Sequence, residues 1–175
     1  ADGSDPVASY SWINKTTGTV LGTASELALD PTMAQPQEEV ECVVVFTDDY
    51  GDTIETAKSI NIGNRAPQLS SQMVETSDPT VRIGSTLRAS VAAEDDDEEN
   101  LSVNYLWVNA TTGVELGGDS SLVLTSDMAA AGDEIRCIMT AVDGSGEMDT
   151  VSVSSIVENS APIFDQAVSI DVQGK

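Results

Sequence analysis

The densest chemistry in this sequence is the run Glu94-Asp95-Asp96-Asp97-Glu98-Glu99-Asn100. Its carboxylates and amide are hard oxygen donors, which suit calcium, an ion that takes six to eight oxygens at about 2.3–2.6 Å. Asp95 and Asp97 alternate along the chain and could face one ion, with Glu99, Asn100 or a backbone carbonyl completing the shell. The EF-hand spacing and its turn glycine are absent, so the competing reading is an acidic loop that is simply solvated. A thinner counterpart, Asp2-Gly3-Ser4-Asp5, stands near the start of the chain. Asp48, Asp49 and Asp143 fall in other loops, and could join a site only if those loops lie at the end that carries a linker.

Other reactive groupings are missing. The chain has no His, the commonest general base and transition-metal ligand. Gly144-Ser145-Gly146 therefore has no imidazole to activate its hydroxyl. Neither a phosphate-binding loop nor a dinucleotide fingerprint occurs, and the expectation is a protein that is not an enzyme. Asn14-Lys15-Thr16, Asn100-Leu101-Ser102 and Asn109-Ala110-Thr111 satisfy the N-glycosylation pattern. A tight turn explains Asn, Thr and Gly at the first and third of these equally well. With 30 acidic and 7 basic residues the net charge is −23, a field that repels nucleic acid and anionic lipid. No apolar run approaches the ~20 residues of a membrane-spanning helix.

An internal repeat supplies the elements that must position these groups. Tyr10-Ser11-Trp12-Ile13-Asn14 recurs as Tyr105-Leu106-Trp107-Val108-Asn109, and the run from Thr16 to Gly22 recurs from Thr111 to Gly117. Residues 25–29 answer 120–124, residues 38–45 answer 133–140, and Asn64-Arg65-Ala66-Pro67 answers Asn159-Ser160-Ala161-Pro162. Every pair is separated by the same 95 positions, without insertion or deletion. That period is the size of a whole β-sandwich domain. Ala-Pro disfavours helix and suits an extended linker, so it marks the module boundary.

Alternation of apolar residues predicts strands over 68–75, 85–94, 102–109, 114–117, 121–125, 133–142 and 149–157 of the second repeat. Leu87, Ala89, Val91 and Ala93 share one face, as do Val103, Tyr105 and Trp107, and Ile135, Cys137 and Met139. Only Ser126–Ala131 could form a helical turn. Trp12, Trp107, Cys42 and Cys137 are expected as core residues, the cysteines as small buried hydrophobes.

A Trp on one strand, with an acidic-x-aliphatic-x-Cys strand after it, resembles the immunoglobulin-like sandwich. Trp107 and Cys137 match that pattern, while Ala89 stands nearest the expected partner cysteine, so the inter-sheet disulfide is absent. The repeat as a whole resembles the tandem immunoglobulin-like and PKD-like modules of bacterial surface proteins, and its Asn-x-Ala-Pro boundary is similar to cadherin linkers. The resemblance implies an all-β fold of two tandem antiparallel sandwiches at an extracellular or cell-surface location. It implies a stalk, spacer or filament-forming role, or an adhesin arm that binds a host or cell-surface protein or glycan through loops at one sandwich end.

Aligned on the 95-residue period, residues 1–65 form a module lacking its two N-terminal strands, 66–160 a complete module, and 161–175 the first strand of a third. One explanation is a piece cut from a longer repeat array. The other is strand complementation, in which Ile163, Phe164, Val168, Ile170 and Val172 of one chain dock into the first module of the next and build a homopolymer. Neighbouring repeats, or further copies of the chain, are the expected partners.

Overall fold

Val, Ile, Thr and aromatic residues alternate with polar ones through most of this chain, a pattern that fits a pleated sheet with one buried face. The computed structural model describes residues 5–161, and in it every regular element is a β-strand. They are β1 (Val7–Asn14), β2 (Thr19–Gly22), β3 (Glu39–Thr47), β4 (Thr53–Asn61), β5 (Gln68–Thr76), β6 (Thr86–Glu94), β7 (Ser102–Asn109), β8 (Val114–Gly117), β9 (Ser121–Val123), β10 (Glu134–Val142) and β11 (Met148–Ile156). No helix among the described residues is long and apolar enough to cross a membrane. The donor residues Ile163, Phe164, Val168, Ile170 and Val172 lie outside the described part of the chain.

Three sheets result, ordered β2-β1-β3-β4, β11-β10-β7-β8 and β5-β6-β9. The repeat is legible at the level of single bonds. β1 pairs with β2 and β7 with β8 in antiparallel register, and each pairing slips at the same place, between Trp12 and Ile13 and between Trp107 and Val108. Gly18 and Gly113 close these hairpins at φ of 74° and 77°, a region that side chains bearing a Cβ rarely enter. Trp12 Nε1 donates to the Ala24 carbonyl and Trp107 Nε1 to the Asp119 carbonyl, both at 2.9 Å.

The chain divides into two compact units. Among the described residues, one holds 5–71 together with Val91–Val103 and Thr140–Val151; the other holds Gln72–Ser90, Asn104–Met139 and 152–161. The core of the second unit is built from Leu87, Trp107, Leu122, Leu124, Ile135, Cys137 and Met139, all buried. β10 alternates strictly, with Ile135, Cys137, Met139 and Ala141 inward, as expected of a strand with one buried face.

The counterparts in the first sheet are less covered. Ala8 pairs with Phe46, Tyr10 with Val44, Trp12 with Cys42 and Asn14 with Val40, which places these eight on one face. Of them only Asn14 and Val40 are fully buried; Trp12 and Cys42 are half-buried, where Trp107 is 1% exposed and Cys137 0%. Residues 25–29 form no strand, although the equivalent residues of the second repeat supply β9. β9 exists because β6 offers it a ladder, Leu87 facing Leu122 and Thr86 facing Val123. Among the described residues no counterpart of β6 borders 25–29, and strand geometry without a partner leaves its backbone groups unpaired.

Candidate functional site

Two side chains organise each repeat internally. The Asn109 amide donates to the Met128 carbonyl (3.1 Å) and Asp133 Oδ2 (2.8 Å), while its Oδ1 accepts from the amides of Thr111 and Thr112 (both 3.1 Å). Asn14 repeats the arrangement with Met33, Glu38, Thr16 and Thr17. Both asparagines are 1% exposed, with both donors and the acceptor oxygen in use. The Asn-x-Thr pattern at these positions is thus a turn lock, and a buried, saturated amide cannot present itself for glycosylation. Ala130 N–H and the Asn109 amide together hold the Asp133 carboxyl below its usual range.

The acidic loop after β6 meets the segment between β4 and β5. Arg65 donates from its backbone N–H to Asp97 Oδ2 (2.7 Å), and from Nε (3.0 Å) and Nη2 (2.6 Å) to Asp97 Oδ1. Nη1 also reaches Asp96 Oδ2 at 3.3 Å, so one guanidinium spans two neighbouring acids. Asp97 is 7% exposed, and the Arg65 hydrogen bonds hold its carboxyl below the ordinary value despite burial. The next attachment is Asn64 Nδ2 to Asp143 Oδ2 at 2.9 Å, and Leu69 N–H reaches Asp149 Oδ2 at the same distance.

Asp95, Glu99 and Asp143 converge beside this clamp, one oxygen of each lying within 4.8 Å of the others. Asp95 Oδ1 accepts the Asp97 amide at 2.7 Å, an Asx turn that fixes the loop. Glu98 sits at φ 56°, a left-handed residue between Asp97, which faces Arg65, and Glu99, which accepts from Ser145 Oγ at 2.9 Å. Gly144 passes so close that an added Cβ would lie 3.1 Å from Glu99 Oε1. Asp143 is 7% exposed, and burial pushes its carboxyl up. The Asn64 amide and the backbone N–H groups of Glu147, Gly146 and Ser145 outweigh that and hold it below the usual range.

Of the loop residues expected to hold an ion, Asp95 and Glu99 come together; Asp97 is engaged by Arg65, and Asn100 is exposed. Asp143 and Asn64 join them from segments that the pattern within the loop could not reveal. One signal was available for Arg65: the repeat places Ser160 opposite it, so a scarce cation stands at one linker and not at the other.

Among the described residues, three buried side-chain nitrogen or oxygen atoms have no hydrogen-bond partner: Asn64 Oδ1, Asp95 Oδ2 and Glu99 Oε2. Such atoms cost about 1–3 kcal/mol each when left unmet, and a folded chain normally pairs them. All three belong to this one junction. Compared with known proteins, the chain matches no protein-family model, and no curated sequence matches it.

Proposed function

We propose that this chain is a structural segment of an extracellular or cell-surface repeat protein, a spacer whose modules follow the immunoglobulin-like plan. The observation that carries the reading is the clamp on the linker: Arg65 is held to Asp97 through its backbone and its guanidinium, and Asn64 to Asp143. A spacer transmits distance only if its linkers resist bending, and an ordinary flexible linker needs no such attachments. The strand orders support the module plan. In the second repeat β5, β6 and β9 take the places of strands A, B and E, and β11, β10, β7 and β8 those of G, F, C and C′. On this plan the module boundary falls at Asn64-Arg65-Ala66-Pro67, and the second module holds β5 to β11.

Head-to-tail assembly by strand complementation belongs to the same proposal. It is supported by the half-buried face of the first sheet, where Trp12, Cys42 and Val44 stand at positions whose counterparts Trp107, Cys137 and Met139 are buried. A second reading, an adhesin module binding a protein or glycan, is favoured by Tyr50, which is 78% exposed in the loop after β3. Aromatic residues at exposed loop tips are common anchors for partners.

Limited proteolysis tests the spacer. The Arg65–Ala66 bond is a trypsin site, and the clamp should hold it closed. Cleavage there is expected to be slow in the native chain and several-fold faster in Asp97→Asn. Rapid native cleavage at Arg65, equal in the two proteins, would remove the basis for a held linker.

A further inference from the structure

We propose that the open edge of β4 pairs antiparallel with β4 of a second copy of this chain, joining two copies of the first sheet side by side. Among the described residues β4 ends its sheet, with β3 on one side and no strand on the other. It is nine residues long and exposed along almost its whole length. Such an edge is a template for another strand unless something blunts it.

The ladder shows which backbone groups are free. Asp48 N–H donates to the Asp52 carbonyl at 3.0 Å and Ile62 N–H to the Glu38 carbonyl at 2.8 Å, at the two ends of the β3–β4 pairing. Hydrogen-bonded and non-bonded pairs alternate along an antiparallel ladder. Ile54, Thr56, Lys58 and Ile60 therefore bond to β3, while the N–H and C=O groups of Thr53, Glu55, Ala57, Ser59 and Asn61 point to the open edge.

A two-fold axis at Ala57 matches these free groups to those of a second copy. Thr53 then faces Asn61, Glu55 faces Ser59 and Ala57 faces itself as hydrogen-bonded pairs, and all nine residues are matched. In the pairs between, Ile54 meets Ile60 and Thr56 meets Lys58, each twice by symmetry. Ile54 is 70% exposed and Ile60 53%, so each would cover apolar surface that now faces water. The smallest shift that keeps the bonded class is two residues. In one direction it sets Ile54 against Lys58, and in the other Lys58 against Lys58.

The second repeat lacks this match. β11 is the equivalent strand, and it has Asp149 and Ser155 where β4 has Ile54 and Ile60. Asp149 accepts the Leu69 N–H at 2.9 Å, and an acid on an edge strand is one of the devices that keep edges from pairing. Charge also selects β4. Glu55 and Lys58 leave it neutral in a chain of net charge −23, and neither opposes its like in the Ala57-centred register. Whole-chain repulsion still acts, and Asp48, Asp49 and Asp52 stand at one end of the strand, so pairing should tighten as salt screens them.

The test is sedimentation velocity of the full chain over about 10–500 µM, a span that populates weak pairing, in about 0.05 and 0.5 M NaCl. The expected result is a monomer–dimer equilibrium that stops at two copies and is several-fold tighter at the higher salt. Ala57→Pro removes an N–H that β3 does not use, so it should melt within a few degrees of wild type yet pair at least tenfold more weakly. Ile54→Lys and Ile60→Glu should each weaken self-pairing at least tenfold, and mixing the two should restore a dimer, because the introduced charges then face each other. Deleting residues 163–175 should leave this pairing intact, which separates it from end-to-end assembly. A chain that stays monomeric across that range at both salts overturns the proposal. So does a dimer that Ala57→Pro leaves unchanged, a mixture that pairs no better than its components, or pairing lost with residues 163–175.

Discussion

Replacing Asn109 by Ala removes a side chain that is 1% exposed and makes four hydrogen bonds. The Thr111 and Thr112 amides lie in an exposed turn and can turn to water, so their loss weighs little. The Met128 carbonyl and Asp133 Oδ2 lose a donor that holds the turn against the strand, and a small cavity is left. At about 1 kcal/mol net for each bond that water does not replace, plus the cavity, the loss comes to roughly 3 kcal/mol. For a chain of this length that is a fall of about 6–12 °C in melting temperature by calorimetry. Asn109→Asp refines the test. The introduced carboxylate keeps the shape and can still accept from Thr111 and Thr112, but it faces Asp133 across a bond of 2.8 Å. Repulsion raises its folded pKa, so the variant should regain stability as pH falls through the carboxylate range, the reverse of the usual acid loss. A melting temperature for Asn109→Ala within 1 °C of wild type, or a glycan found on Asn109 of the folded chain, would refute the turn-lock reasoning.

Asp97 is held below its ordinary value by Arg65, so the clamp stabilises fully above the unfolded pKa of about 3.9 and fails as pH drops through the lower folded value. The difference in urea midpoint between wild type and Asp97→Asn should therefore be present at pH 6 and vanish near pH 2. Burial pushes the Cys137 thiol up to about 11, so iodoacetamide at pH 8 should label half-buried Cys42 first and reach Cys137 only as the chain unfolds. Equal labelling of the two would contradict the difference in cover between the two repeats. Trp12 is half-buried and Trp107 buried, so acrylamide should quench the Trp107→Phe variant several-fold more strongly than Trp12→Phe. Deleting residues 163–175 should abolish any end-to-end assembly seen by sedimentation; assembly that survives the deletion would dispose of strand complementation.

Strand positions were legible because a period-2 pattern repeats at a fixed offset. β6, β7 and β10 begin and end within a residue of where alternation and turn residues place them. Residues 25–29 carry the same pattern as 120–124 yet form no strand, because a strand is a property of a pair and the sequence of one segment does not name its partner. The acidic loop was visible as a site in waiting, but alternation grouped Asp95 with Asp97. The left-handed Glu98 and the reach of Arg65 divide them instead, sending Asp97 to the linker and leaving Asp95 with Glu99 and Asp143. Asp143 lies 44 positions beyond Glu99, and only the packing of two loops in the fold brings them together.

A spacer of this kind needs a linker held in place by the acidic loop, and ¹⁵N relaxation of the Ile62, Gly63, Asn64, Arg65 and Ala66 amides measures that directly. Order parameters near those of the strands, about 0.85, are expected for Asn64 and Arg65, with a clear fall in Asp97→Asn. Values below about 0.6 for these amides in the native chain would mean a freely moving linker and would contradict the account.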